Sequence, residues 1–111
     1  LQLAKGAMRT GINVLLETNG LLADDIDQVI IAGAFGTYIS VASAITIGML
    51  PRLPLDRFHQ VGNAAGMGAK QALISRSKRA EAQALASRIG YIELATIPQF
   101  ARTFAQAMYL E

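Results

Sequence analysis

Two stretches of this sequence place glycine where a ligand could lie against the backbone: Ile30-Ile31-Ala32-Gly33-Ala34-Phe35-Gly36 and Gln60-Val61-Gly62-Asn63-Ala64-Ala65-Gly66. In each, a short apolar run passes directly into glycine, and a residue without Cβ lets main-chain amides approach a bound group unobstructed. Neither stretch is a Walker loop, because no Gly-Lys-Ser/Thr follows. The first cannot be aligned with the G-x-G-x-x-G of dinucleotide-binding folds. Taken alone, the same glycines serve equally well to let helices pack closely on strands, and both readings stay open on spacing.

Other chemistry finds less support. His59 stands beside Phe58 with no acid or second His at a spacing that would build a metal site or catalytic pair. It reads as a capped or partly exposed histidine. Ser40, Ser43, Ser75, Ser77 and Ser87 lack an elbow motif and a partnering base. Asp24, Asp25 and Asp27 lack calcium-loop spacing and read as solvated or capping groups. No cysteine occurs, so these residues offer no disulfide, no thiolate nucleophile and no cysteine ligand for zinc or an iron-sulfur cluster.

The elements that must hold the glycines follow from periodicity. Residues 2 to about 18 repeat Leu3, Ala7, Ile12, Leu15 and Leu16 at helical spacing, and Gly20 closes that helix. Gly6 and Gly11 within it each cost about 1 kcal/mol relative to Ala, which implies that another backbone passes close by. Asp24 or Asp25 is available to cap the turn that follows. Val29 to Ala32 reads as a strand buried on both faces, and Ser40 as the cap of a short helix ended by Pro51 and Pro54. Phe58 to Val61 reads as a second strand. A helix then carries Ala65, Ala69, Ala72 and Leu73, with Gly62, Gly66 and Gly68 as a close-packing signature. Ser75 to Arg88 continues as a further helix stopped by Gly90. Tyr91 to Ala95 reads as a third strand, and Pro98 opens a last helix bearing Phe100, Phe104, Met108 and Tyr109. The expected fold is α/β: a small sheet with packed helices, in one domain spanning residues 1–111.

Composition bounds the partners. Of 111 residues, 52% are hydrophobic and 16% charged, against the roughly 25% charged that is usual, so some apolar surface is expected to face other chain or a partner. Net charge is +2, but residues 52 to 88 alone carry +5 and residues 1 to 37 carry −2. Phe58 is the single aromatic in the basic stretch, too little stacking surface for a nucleic-acid binder, and Arg76, Lys78 and Arg79 read as a solvated helix face. No apolar run approaches the roughly 18 residues of a membrane span and no signal peptide opens the chain, so neither nucleic acid nor membrane is an expected partner and the cytoplasm is the expected location. The chain opens at Leu1, inside a helix, and is read as excised from a longer polypeptide.

The run VIIAGAFGTY at Val29 to Tyr38, followed by SVASAITIGMLPRLP and then HQVGNAAGMGAKQALIS, resembles the C-terminal part of the ASKHA ATPase domain in reductive activators of corrinoid proteins. The resemblance extends through Tyr91-Ile92-Glu93-Leu94 to Phe100, Phe104 and Met108. It implies part of an RNase H-like lobe of the actin/Hsp70 type, from an iron-sulfur protein that uses ATP to reactivate cobalamin-containing methyl-transfer proteins. It further implies that Gly33, Ala34, Phe35 and Gly36 pack on the adenosine of ATP, while the Gly62 to Gly68 segment lies beneath as structure. The family's phosphate hairpins and Mg²⁺-positioning acids precede this region, and the cysteines of its [2Fe-2S] cluster have no counterpart here. The resemblance therefore implies an incomplete ATPase that is inactive alone, and whose partners are a corrinoid protein and the remainder of its own polypeptide. A docking or self-association module forming homo-oligomers, with a vestigial nucleotide site, is the alternative.

Overall fold

The computed structural model describes residues 2–98 and 100–108, with the backbone only at positions 35 and 36. Tyr109, expected on the last helix, lies outside the described residues. Among the described residues six α-helices and two strands occur in the order α1 (Gln2–Thr18), β1 (Val29–Ala32), α2 (Gly33–Tyr38), α3 (Val41–Thr46), β2 (Phe58–Gly62), α4 (Ala64–Ile74), α5 (Arg76–Ala86) and α6 (Phe100–Ala107). Single 3₁₀ turns sit at Ala23–Asp25, Leu55–Arg57 and Leu94–Thr96. The strands pair in parallel as one two-stranded sheet, and the α/β class is as the sequence implies.

The chain divides into two compact units, Leu1–Ile30 with Ile39–His59 and Glu93–Glu111, and Ile31–Tyr38 with Gln60–Ile92. In the first unit α1 packs against α6. The contact is shaped by Gly6, where a Cβ would stand 2.5 Å from Met108 Cγ and 2.9 Å from Phe104 Cε1. Close approach at Gly6 is thus real, but side chains of the α6 region make it rather than backbone. The expected apolar stripe of α1 is corrected accordingly: Leu3, Ala7 and Leu15 are exposed, and the buried face runs through Lys5, Gly6, Thr10 and Val14. Phe100 and Phe104 stack with centroids 5.5 Å apart. The apolar core of this unit is Val14, Ala44, Met49, Leu50 and Leu53.

Local signals decide most boundaries. Gly20, at φ +67°, ends α1 with no neighbour within 4 Å of its Cβ position. Asp25 Oδ2 accepts the Leu22 amide at 2.8 Å and caps the acidic turn, as expected for one of the two aspartates. Ser40 accepts the Ser43 amide and starts α3, which stops at Thr46, ahead of the prolines, where Gly48 adopts φ +85°.

In the second unit α4 packs on α5, and Ser75 serves both. Its amide donates to Gln71 O, closing α4, while its Oγ accepts the Lys78 amide, opening α5. Arg79 Nε returns to Ala72 O at 3.0 Å, so part of the expected solvated face is occupied in capping α4. Three expectations are corrected here. Ile30 is 62% exposed, so β1 is not covered on both faces by this chain. Nothing lies within 4 Å of a Gly68 Cβ, and Gly66 faces only its own cap, Asn63, so these glycines do not mark close helix packing. Residues 91–95 form no strand: Tyr91 is exposed, Thr96 Oγ1 bonds back to Glu93 O, and a 3₁₀ turn takes the place of a ladder because no sheet neighbour is presented to them among the described residues.

Candidate functional site

Each strand ends in a glycine of positive φ: Gly33 at +86° directly after β1 and Gly62 at +66° at the end of β2. L-residues with a Cβ lose roughly 1–2 kcal/mol in that conformation, which is why glycine stands at both bends. Beyond each bend the chain turns at once into a helix, α2 and α4. Carboxyl ends of parallel strands are where open α/β sheets receive ligands.

The two junctions adjoin within the second unit. A Cβ on Gly62 would sit 3.8 Å from Thr37 Oγ1, and Thr37 in turn reaches back to Gly33 O at 3.4 Å. Asn63 caps α4, its Oδ1 accepting the Gly66 amide at 2.9 Å. Gly33 itself is open, with no atom of the described residues within 4 Å of its Cβ position, and Ala34 is exposed. The four residues singled out in the sequence, Gly33, Ala34, Phe35 and Gly36, therefore form the first turn of α2 rather than a loop. The Phe35 side chain lies outside the described structure.

His59 is exposed, and no group of three His, Asp or Glu able to hold a metal occurs among the described residues. Asp24 and Asp25 lie in the 3₁₀ turn Ala23–Asp25, and exposed Asp27 follows it. No described helix is long and apolar enough to cross a membrane. Sequence reasoning missed the polar face of α1 that carries Lys5, Arg9 and Asn13; their four-residue spacing was the available signal.

Across residues 1–111 the sequence matches the family model described as the C-terminal domain of RACo, the ASKHA domain, and the chain belongs to that family. It is 40% identical over 104 residues to the corrinoid activation enzyme RamQ of Eubacterium limosum, a match covering 94% of this chain and 18% of that protein. A solved structure described as a reductive activator for corrinoid, iron-sulfur protein superposes with a TM-score of 0.90 at 39% identity, over 99% of this chain and 18% of that one. The chain thus spans about a fifth of the length of these relatives.

Proposed function

We propose that this chain supplies the adenosine side of an ATP-binding cleft in a cytoplasmic reductive activator of corrinoid proteins. Gly33, Ala34, Phe35 and Gly36 are the residues assigned to the nucleoside. The observation that carries the reading is the open bend at Gly33: positive φ, no neighbour among the described residues where a Cβ would stand, and a second glycine bend beside it on the paired strand. A purine and ribose need close main-chain approach along one side, and this bend provides it. The names of the relatives support the corrinoid partner.

ATP, bound with Mg²⁺, supplies the free energy of phosphoryl transfer. The residues of this chain would bind and orient the nucleoside; the family resemblance puts the groups that hold phosphates and Mg²⁺ outside it, and the [2Fe-2S] cluster needs cysteines that it does not contribute. Hydrolysis by these 111 residues alone is accordingly not expected. Nucleotide occupancy would bias closure of the cleft, and through it the docking of the corrinoid protein.

The test is nucleotide affinity of the full-length protein. Ala34→Leu adds bulk at an exposed position of ordinary backbone geometry and is expected to weaken ATP binding at least tenfold; Gly33→Val should do the same with an added backbone cost. Wild-type affinity in both variants would overturn the assignment.

The second reading, a docking or self-association module, is favoured by one feature. No described side chain of the second unit is buried, and Leu73, Ile74, Ile89 and Tyr91 are each about three-quarters or more exposed. The remainder of the polypeptide is the first candidate to cover them. Concentration-dependent association of the full-length protein, with ATP affinity absent, would favour self-association instead.

A further inference from the structure

We propose that the first compact unit contains an anion pocket of its own, suited to a small organic phosphate and using none of the glycine-bend residues. The pocket has a volume of about 400 Å³. Lys5, Arg9 and Asn13 enter it from successive turns of α1, Arg52 from the segment after α3, and Thr103 and Gln106 from α6. Three cations converge there, and no carboxylate is among the described residues that line it.

Lys5 is the residue that makes this a built site. It is 2% exposed, yet has no hydrogen-bond or ion-pair partner among the described residues. Its stem packs against Gly48, where a Cβ would stand 3.5 Å from Lys5 Cε and 3.7 Å from Nζ. Arg9 and Arg52 likewise have no acidic partner among the described residues, where the ion pair formed is Lys78–Glu81. Gathering like charges around a recess, one of them largely withdrawn from water, is unfavourable unless an anion occupies it.

The donor set points to phosphate. A phosphate monoester carries nearly two negative charges at neutral pH and three acceptor oxygens, matching one ammonium and two guanidiniums, whose planar forks bind such oxygens in pairs. The volume exceeds what a bare phosphate needs and falls in the range of sites for small organic ligands. Leu50, buried in the core, provides an apolar wall for the organic part, while the Asn13 and Gln106 amides and the Thr103 hydroxyl can orient its polar groups.

Calorimetric titration of the full-length protein at constant ionic strength, with ribose 5-phosphate and with inorganic phosphate, tests this. Saturable binding is expected, tighter for the sugar phosphate, and weakened at least tenfold in Lys5→Met and in Arg52→Ala. Arg52 is exposed, so its variant remains informative if Lys5→Met fails to fold. Ala34→Leu should leave this binding unchanged, which separates the proposal from the nucleotide assignment. Absence of saturable binding, wild-type affinity in either folded pocket variant, or sugar phosphate binding no tighter than inorganic phosphate would overturn it.

Discussion

The guanidinium of Arg57 donates to the backbone carbonyl of Ile26 at 3.1 Å and lies 3.4 Å from that of Asp24. Arg57 directly precedes β2 and Ile26 stands three residues before β1, so one side chain joins the segments that lead into the paired strands. Replacing Arg57 by Ala should remove about 1.5–3 kcal/mol of local stability, the range for hydrogen bonds involving a charged group. Faster amide exchange in β1 and β2 of the full-length protein would show it; unchanged exchange would mean the clamp contributes nothing.

Gly6→Ala sets two effects against each other. Helix propensity favours Ala by about 1 kcal/mol, but the new methyl meets Met108 and Phe104, and overpacking costs about 1–3 kcal/mol. Because the Met108 atom in question is its Cγ, close to the backbone, repacking is hindered and the variant should be less stable. A lowered denaturation midpoint checks this.

Thr10 is fully buried, and its hydroxyl has no partner among the described residues. Thr10→Val keeps the shape and deletes the orphan group, so stability should rise by roughly 1 kcal/mol, the lower end of the cost of an unsatisfied buried group. A denaturation midpoint that falls instead would reveal a partner for the hydroxyl elsewhere in the protein.

Ser75→Ala should cost about 1 kcal/mol through loss of the α5 cap. The expected signature is faster exchange confined to the first turn of α5, at the Lys78 amide above all.

What could be read from the sequence was local. The Ser40 cap, the Gly20 stop and the bounds of β1 each depend on a few neighbouring residues, and each is where spacing put it, whereas Ser75, expected inside a helix, proves to be its cap. The glycine bends were legible as features, since Gly33 and Gly62 follow apolar runs. That they adjoin was not, because it depends on pairing β1 with a strand 25 residues further on. The buried face of α1 escaped for a related reason. Gly6 and Thr10 are inside because α6, some ninety residues away, chooses the side with least bulk, which outweighs the apolar pull of Leu3 and Leu15. The failure at Tyr91 to Ala95 shows the limit of β propensity: β-favouring residues become a strand only beside a neighbour.

Ser75 carries a consequence for motion. A lone extended residue separates two eleven-residue helices, and Arg79 bolts the second onto the last carbonyls of the first. Any displacement of α4 is thereby transmitted to α5, so a spectroscopic label on α5 would report a displacement of α4 without touching it.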